Sequence, residues 1–148
     1  MRARIQQTYS TTKRDLMLHT ITPPIDVPRA QLDPITTLAE KLSVFALAIS
    51  RPLRNETVVL CTDHQQRGVG IFIFDSKLKL TQIIDRIIGA AINVDATTSI
   101  SILCSRGGVG RQSSDSAQFS MAKNRCQDAG LVLTDWLLVA NGDVHVLN

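Results

Sequence analysis

The stretch that most constrains this chain runs from Ile100 to Ala140. A short apolar run, Ile100 to Cys104, opens into the glycine-rich loop Ser105 to Gln118. A helix-competent segment then reaches about Ala129, Gly130 stops it, and a second apolar run follows from Leu131 to Ala140. Only glycine enters the left-handed conformation without a Cβ penalty, so Gly130 is the natural helix stop. The local order therefore reads strand, loop, helix and strand.

The flanking segments carry equally readable periodicities. Asp33 and Pro34 have the form of an N-cap followed by proline at the first helical position. Ile35, Leu38, Ala39, Leu42, Phe45, Ala46 and Ile49 then fall on one helical stripe, which predicts a helix ending near Arg51-Pro52. Thr57 to Thr62 and Val69 to Asp75 read as two strands of a hairpin, joined by the polar His64 to Gly68. Leu78, Leu80, Ile83, Ile84, Ile87, Ile88 and Ala91 mark a second amphipathic helix. Asp115, with Gln118 three positions on, has the pattern of a capping box for the third helix. Asn141-Gly142-Asp143 signals a turn between Leu131–Ala140 and Val144–Leu147. The predicted order is arm, α, β, β, α, β, α, β, β, an α/β domain with a mixed β-sheet flanked by helices rather than a doubly wound parallel one.

A chain of 148 residues with 44% apolar residues supports one core, and 4% aromatics make that core aliphatic. Cys61, Cys104 and Cys126 are an odd set without CxxC spacing, which argues against a disulfide scaffold and a structural zinc and for a reducing, cytoplasmic setting. No apolar run reaches the length of a transmembrane helix, so no membrane partner is expected. Residues 1–32 read as a basic, proline-containing, flexible arm, with Arg2, Arg4, Lys13 and Arg14 ahead of Asp15 and with Pro23, Pro24 and Pro28 further on; residues 33–148 read as the domain. The arm resembles a transit peptide only superficially. A net charge of +3 permits nucleic-acid binding without indicating it, because the basic residues do not alternate with aromatics.

The order of elements, the loop Ser105-Arg106-Gly107-Gly108-Val109-Gly110-Arg111-Gln112-Ser113-Ser114-Asp115-Ser116-Ala117-Gln118, the ending Ala129-Gly130, and the segments Leu133-Thr134-Asp135-Trp136-Leu137-Leu138-Val139 and Val144-His145-Val146 resemble the RadC branch of the JAB/MPN (JAMM) family over roughly Glu56 to Leu147. The resemblance implies a three-layer-like, cytidine-deaminase-like fold and, by family name, an association with DNA repair. Active members of that metallopeptidase family carry His-x-His, seven residues, then Ser-x-x-Asp, with a glutamate upstream. Two imidazoles and a carboxylate hold Zn²⁺ with one position open for water, the serine helps stabilise the oxyanion, and the glutamate moves protons.

Laid on this loop without gaps, the pattern puts Ser105 and Gly107 at the histidines, Asp115 at the serine and Gln118 at the aspartate. Shifted by one residue it puts Cys104 and Arg106 at the histidines and Ala117 at the aspartate. Neither register supplies the ligand set, so zinc is expected to be absent and no cofactor is implied. Glu56 could be a vestige of the upstream glutamate, although a lone glutamate at a strand end is ordinarily a solvated surface residue. His19, His64 and His145 have no ligand spacing and take structural or solvent roles by default.

Two readings of the loop remain open. Gly107, Gly108 and Gly110, with Arg106 and Arg111 and a following helix N-terminus, could bind an anion such as phosphate or a carboxylate. Equally, the glycines could fill the space of lost ligands; neither a dinucleotide fingerprint nor a P-loop is present. Cys104 reads as a buried, inert thiol, since no imidazole base is near it in sequence. The expected function is a binding or scaffolding pseudoenzyme with an unknown protein partner, homo-oligomerisation being open. The alternatives are a metal-dependent hydrolase with a site rearranged from Glu56, His64, Cys104 and Asp115, and a nucleic-acid accessory using the arm with Arg106 and Arg111.

Overall fold

A computed structural model describes residues 2–6, 27–49, 55–75, 80–106, 112–140 and 143–147. Six strands, β1 (Arg2–Gln6), β2 (Glu56–Thr62), β3 (Gly68–Asp75), β4 (Ser99–Arg106), β5 (Val132–Ala140) and β6 (Asp143–Leu147), form one sheet in the order β1-β3-β2-β4-β5-β6. Three helices accompany it, α1 (Leu38–Ala48), α2 (Leu80–Ile92) and α3 (Asp115–Asp128). β4 and β5 pair in parallel through the α3 crossover, while the remaining neighbours are antiparallel, so the sheet is mixed as the sequence predicts.

Both faces of the sheet are covered. Successive side chains of a strand point to opposite faces, and the buried residues divide accordingly. Val59, Cys61, Phe72, Phe74, Ile100, Ile102, Trp136 and Leu138 pack with Ile83, Ile84 and Ile87 of α2 and with Ala122 and Cys126 of α3. Val58, Leu60, Ile71, Ile73, Leu103, Leu137 and Val139 pack with Leu42, Phe45 and Ala48 of α1. β2 is buried along its whole length, which explains its unbroken apolar run where a one-sided strand would alternate. The result is three layers, with α1 on one side and α2 and α3 on the other.

Several boundaries differ from the sequence expectation. Helix α1 begins at Leu38 rather than behind Asp33-Pro34, because Thr37 and Glu40 form the capping box: Glu40 N donates to Thr37 Oγ1 at 3.1 Å and Thr37 N donates to Glu40 Oε1 at 3.0 Å. Asp33 is used instead to close a turn on Arg29, accepting from its backbone N and its Nε, both at 2.9 Å. Pro34 lies in an isolated bridge to Arg67, and Ile35 is buried ahead of the helix. The helix ends at Ala48 with Ile49 extended behind it; the expected end at Arg51-Pro52 lies outside the described residues. Thr37→Ala should lower stability by about 1 kcal/mol, read as a reduced denaturant midpoint at unchanged slope.

The expected arm is also structured at both of its described ends. Arg2–Gln6 pairs antiparallel with Ile71–Asp75 of β3, and Gln31 N donates to Gly68 O at 2.9 Å, fastening this segment to the hairpin turn. The rest of the arm, with His19, Pro23 and Pro24, lies outside the described residues, as does the Asn141-Gly142 turn. Gly130 takes φ +81° behind α3, the left-handed stop its position predicts.

Candidate functional site

The residues singled out by the loop pattern collect at one end of the sheet, where β2 begins, β4 ends and α3 begins. The strand alternation divides them between the two faces. Glu56 and Ser105 are paired in register and point to the α1 side, in line with Val58 and Leu103. Cys104 and Arg106 point to the α3 side, in line with Ile102. Asp115 and Gln118 lie on α3 itself. The ungapped pattern is therefore split, with the sheet lying between Ser105 and Asp115.

What meets Asp115 is Arg106. Its Nη2 donates to Asp115 Oδ1 at 2.6 Å and its Nη1 to Oδ2 at 3.1 Å, a bidentate fork on a carboxylate with no exposure to solvent. Gln112 N donates to the same Oδ2 at 2.7 Å. Asp115 opens α3, where the helix dipole favours negative charge. An internal carboxylate thus stands at this helix N-terminus. The capping box expected of Asp115 and Gln118 is replaced: the Asp115 side chain is turned to Arg106, and Gln118 Nε2 donates to Ser114 Oγ at 3.3 Å.

Below the ion pair lies a sulfur site. Trp136 Nε1 donates to Cys104 Sγ at 3.0 Å, Thr57 Oγ1 lies 3.6 Å from the same sulfur, and Phe119 stacks on Trp136 with ring centroids 6.3 Å apart. Burial pushes the Cys104 thiol up and outweighs the opposing hydrogen bonds from Trp136 and Thr57 and the Arg106 charge. Burial also pushes Cys61 up to about 12 and Cys126 up to about 11. All three raised thiols stay protonated near neutral pH. Alkylation of Cys61 and Cys126 by iodoacetamide at pH 8 should run more than about a hundredfold slower than in the urea-unfolded chain, as mass spectrometry would record.

Glu56 differs from expectation, because it is buried at 1% exposure rather than solvated; its backbone N donates to Ser105 Oγ at 3.3 Å. His64 is exposed in the β2–β3 turn, at the far end of β2 from Glu56, and strand geometry separates the two by roughly 25 Å. A site drawing together Glu56, His64, Cys104 and Asp115 is therefore not assembled. His145 lies half-buried on β6. Gly107, Gly108, Gly110 and Arg111 lie outside the described residues.

The sequence reading did not single out Thr57 or Trp136 as neighbours of Cys104, nor the polar cluster on the α1 side. There Lys41 pairs with Asp135, and Ser101 Oγ lies 2.7 Å from Thr134 Oγ1 and 3.3 Å from Asp135 Oδ2. Register could have found it only in part, because a bulge between Ile100 and Ser101 shifts β4 against β5.

Among the described residues, the donors brought to this end of the sheet do not make a catalytic zinc set. Ser105 and Asp115 face opposite sides of the sheet, a guanidinium occupies the Asp115 carboxylate, and no three His, Cys, Asp or Glu side chains converge among the described residues. No family model and no curated protein matches this sequence.

Proposed function

We propose that this chain is a RadC-like JAB/MPN domain that acts as a non-catalytic binding or scaffolding module. The carrying observation is the Arg106–Asp115 fork at the junction of β4 and α3. In the metallopeptidase pattern that junction presents neutral imidazoles and a carboxylate to a cation. Here Arg106, at a histidine position of the shifted register, closes on Asp115, at the serine position of the ungapped one, so a metal cation brought to this junction would meet a fixed positive charge. The three-layer arrangement and the β4-α3-β5 unit support the family reading, and so does the burial of Glu56 beside Ser105. A link to DNA repair rests on the resemblance alone.

The test is a calorimetric titration of Zn²⁺ into chelator-stripped protein. The reading expects no saturable equimolar uptake. Tight binding of one equivalent, together with peptide or isopeptide cleavage that a chelator stops, would overturn it.

A further inference from the structure

At the opposite end of the sheet from the Arg106–Asp115 pair, a cleft of about 790 Å³ opens between the β2–β3 turn and the C-terminal end of α2. Its apolar lining is formed by Val69, Phe72, Ala90 and Val94. Its charged lining residues are Asp63, Arg67 and Asp95, and Gln31 and Asn93 are polar neighbours among the lining residues.

The backbone around this cleft departs from regular geometry at four positions. Gln31, Gln66 and Ala96 adopt φ of 63°, 62° and 68°, a region that side-chain-bearing residues enter at an energetic cost. Val69 is the extra residue of the bulge where β2 and β3 shift register, since Cys61 pairs with Gly70 and Thr62 with Gly68. Two of the three left-handed residues and the bulged one line the cleft, and the third precedes Arg67.

Of the three charged residues lining the cleft, Asp63 and Arg67 pair with each other and Asp95 is left over. Asp63 is consumed internally, accepting from Gln65 N, Arg67 N and Arg67 Nε, each at 2.9 Å. Burial works to raise the Asp63 pKa, but these bonds outweigh it and leave the carboxyl below its ordinary value, so the pair stays ionised. Arg67 is thereby anchored through Nε, while its two terminal amino groups have no partner among the described residues. The exposed Asp95 carboxylate likewise has none, and it stands just beyond the C-terminus of α2, where the helix dipole adds negative potential. The cleft thus offers the two terminal amino groups of an anchored guanidinium and, from Asp95 beside the α2 C-terminus, a cation-seeking end.

We propose that this cleft binds a free α-amino acid with an apolar side chain, its carboxylate on Arg67, its ammonium at Asp95 and the α2 terminus, and its side chain on Phe72 and Val94. The fork suits a carboxylate, and a ligand carrying only one charge would leave either the Arg67 amino groups or Asp95 unmatched.

The probes are L-phenylalanine, 3-phenylpropanoate, which lacks the ammonium, and 2-phenylethylamine, which lacks the carboxylate, each titrated into the full chain by calorimetry and amide NMR. Phenylalanine should bind saturably and shift the amides of Val69, Ala90 and Val94, with both single-charge analogues about tenfold weaker or more. Asp95→Asn should reduce phenylalanine to the affinity of 3-phenylpropanoate, and Arg67→Gln to that of the amine. Asp95 is exposed, so its variant decides the matter even where Arg67→Gln fails to fold. Absence of saturation at millimolar phenylalanine, equal binding of the three probes, shifts confined to other regions, or an unaffected Asp95→Asn would each overturn the proposal.

Discussion

Arg106→Ala is expected to lower stability by about 3–5 kcal/mol, the range for breaking a buried ion pair by removing one partner. The Asp115 carboxylate is fully enclosed, and without the fork it keeps the hydrogen bond from Gln112 N but loses the two charge-assisted bonds from Arg106. Arg106 itself retains 21% side-chain exposure, so the reverse change, Asp115→Ala, leaves a cation that can still reach water and should cost less. That asymmetry is the informative part. Replacing both, as Arg106→Met with Asp115→Leu, should recover most of the loss, because a buried pair exchanged for apolar side chains is often neutral. Urea midpoints of the three variants check this, and equal losses in both single variants would show that the pair is not enclosed on the Asp115 side.

Trp136→Ala should cost about 3–5 kcal/mol as well, for a different reason. Trp136 is 1% exposed on β5, stacks on Phe119 of α3 and donates to Cys104 Sγ of β4, so its removal opens a cavity where the crossover helix meets the parallel pair. Trp136→Phe keeps most of the volume and forfeits the indole donor and part of the stack, so its loss should be less than half as large. Trp136 is the chain's single tryptophan, so unfolding of both variants is followed by far-ultraviolet circular dichroism. A small loss for the alanine variant would mean that α3 is held to the sheet elsewhere.

Much of the fold is legible in the sequence where one periodicity dominates. Ile83, Ile84, Ile87 and Ala91 mark the buried face of α2 through a helical period, and the unbroken Val- and Ile-rich runs mark β2 and β3 because those strands are buried on both faces. The start of α1 is less legible, since Asp33 and Thr37 both have capping chemistry and only the Arg29 turn decides which is used. β1 is masked by its arginines: Ala3 and Ile5 alternate with Arg2 and Arg4, a period of two that the basic composition conceals.

The site is harder to read, because its meaning depends on which face of β4 each residue takes. Ile100 and Ile102 could have placed Cys104 and Arg106 on one side and Ser105 on the other, since alternation fixes the parity once one buried residue is assigned. The partner of Arg106 leaves no such signal, since a loop separates it from Asp115 and no periodicity spans a loop. The cleft at the other end of the sheet is less visible still, drawing on Gln31, Arg67, Phe72 and Asp95 from four separate segments.

The most direct test of the account is anomalous diffraction at the zinc edge from crystals of this chain soaked in zinc. The account predicts no zinc peak coordinated by Glu56, Ser105 or Asp115, with the Arg106 fork still closed on Asp115. A zinc ion bound to any of these three, with Arg106 swung away, would contradict it.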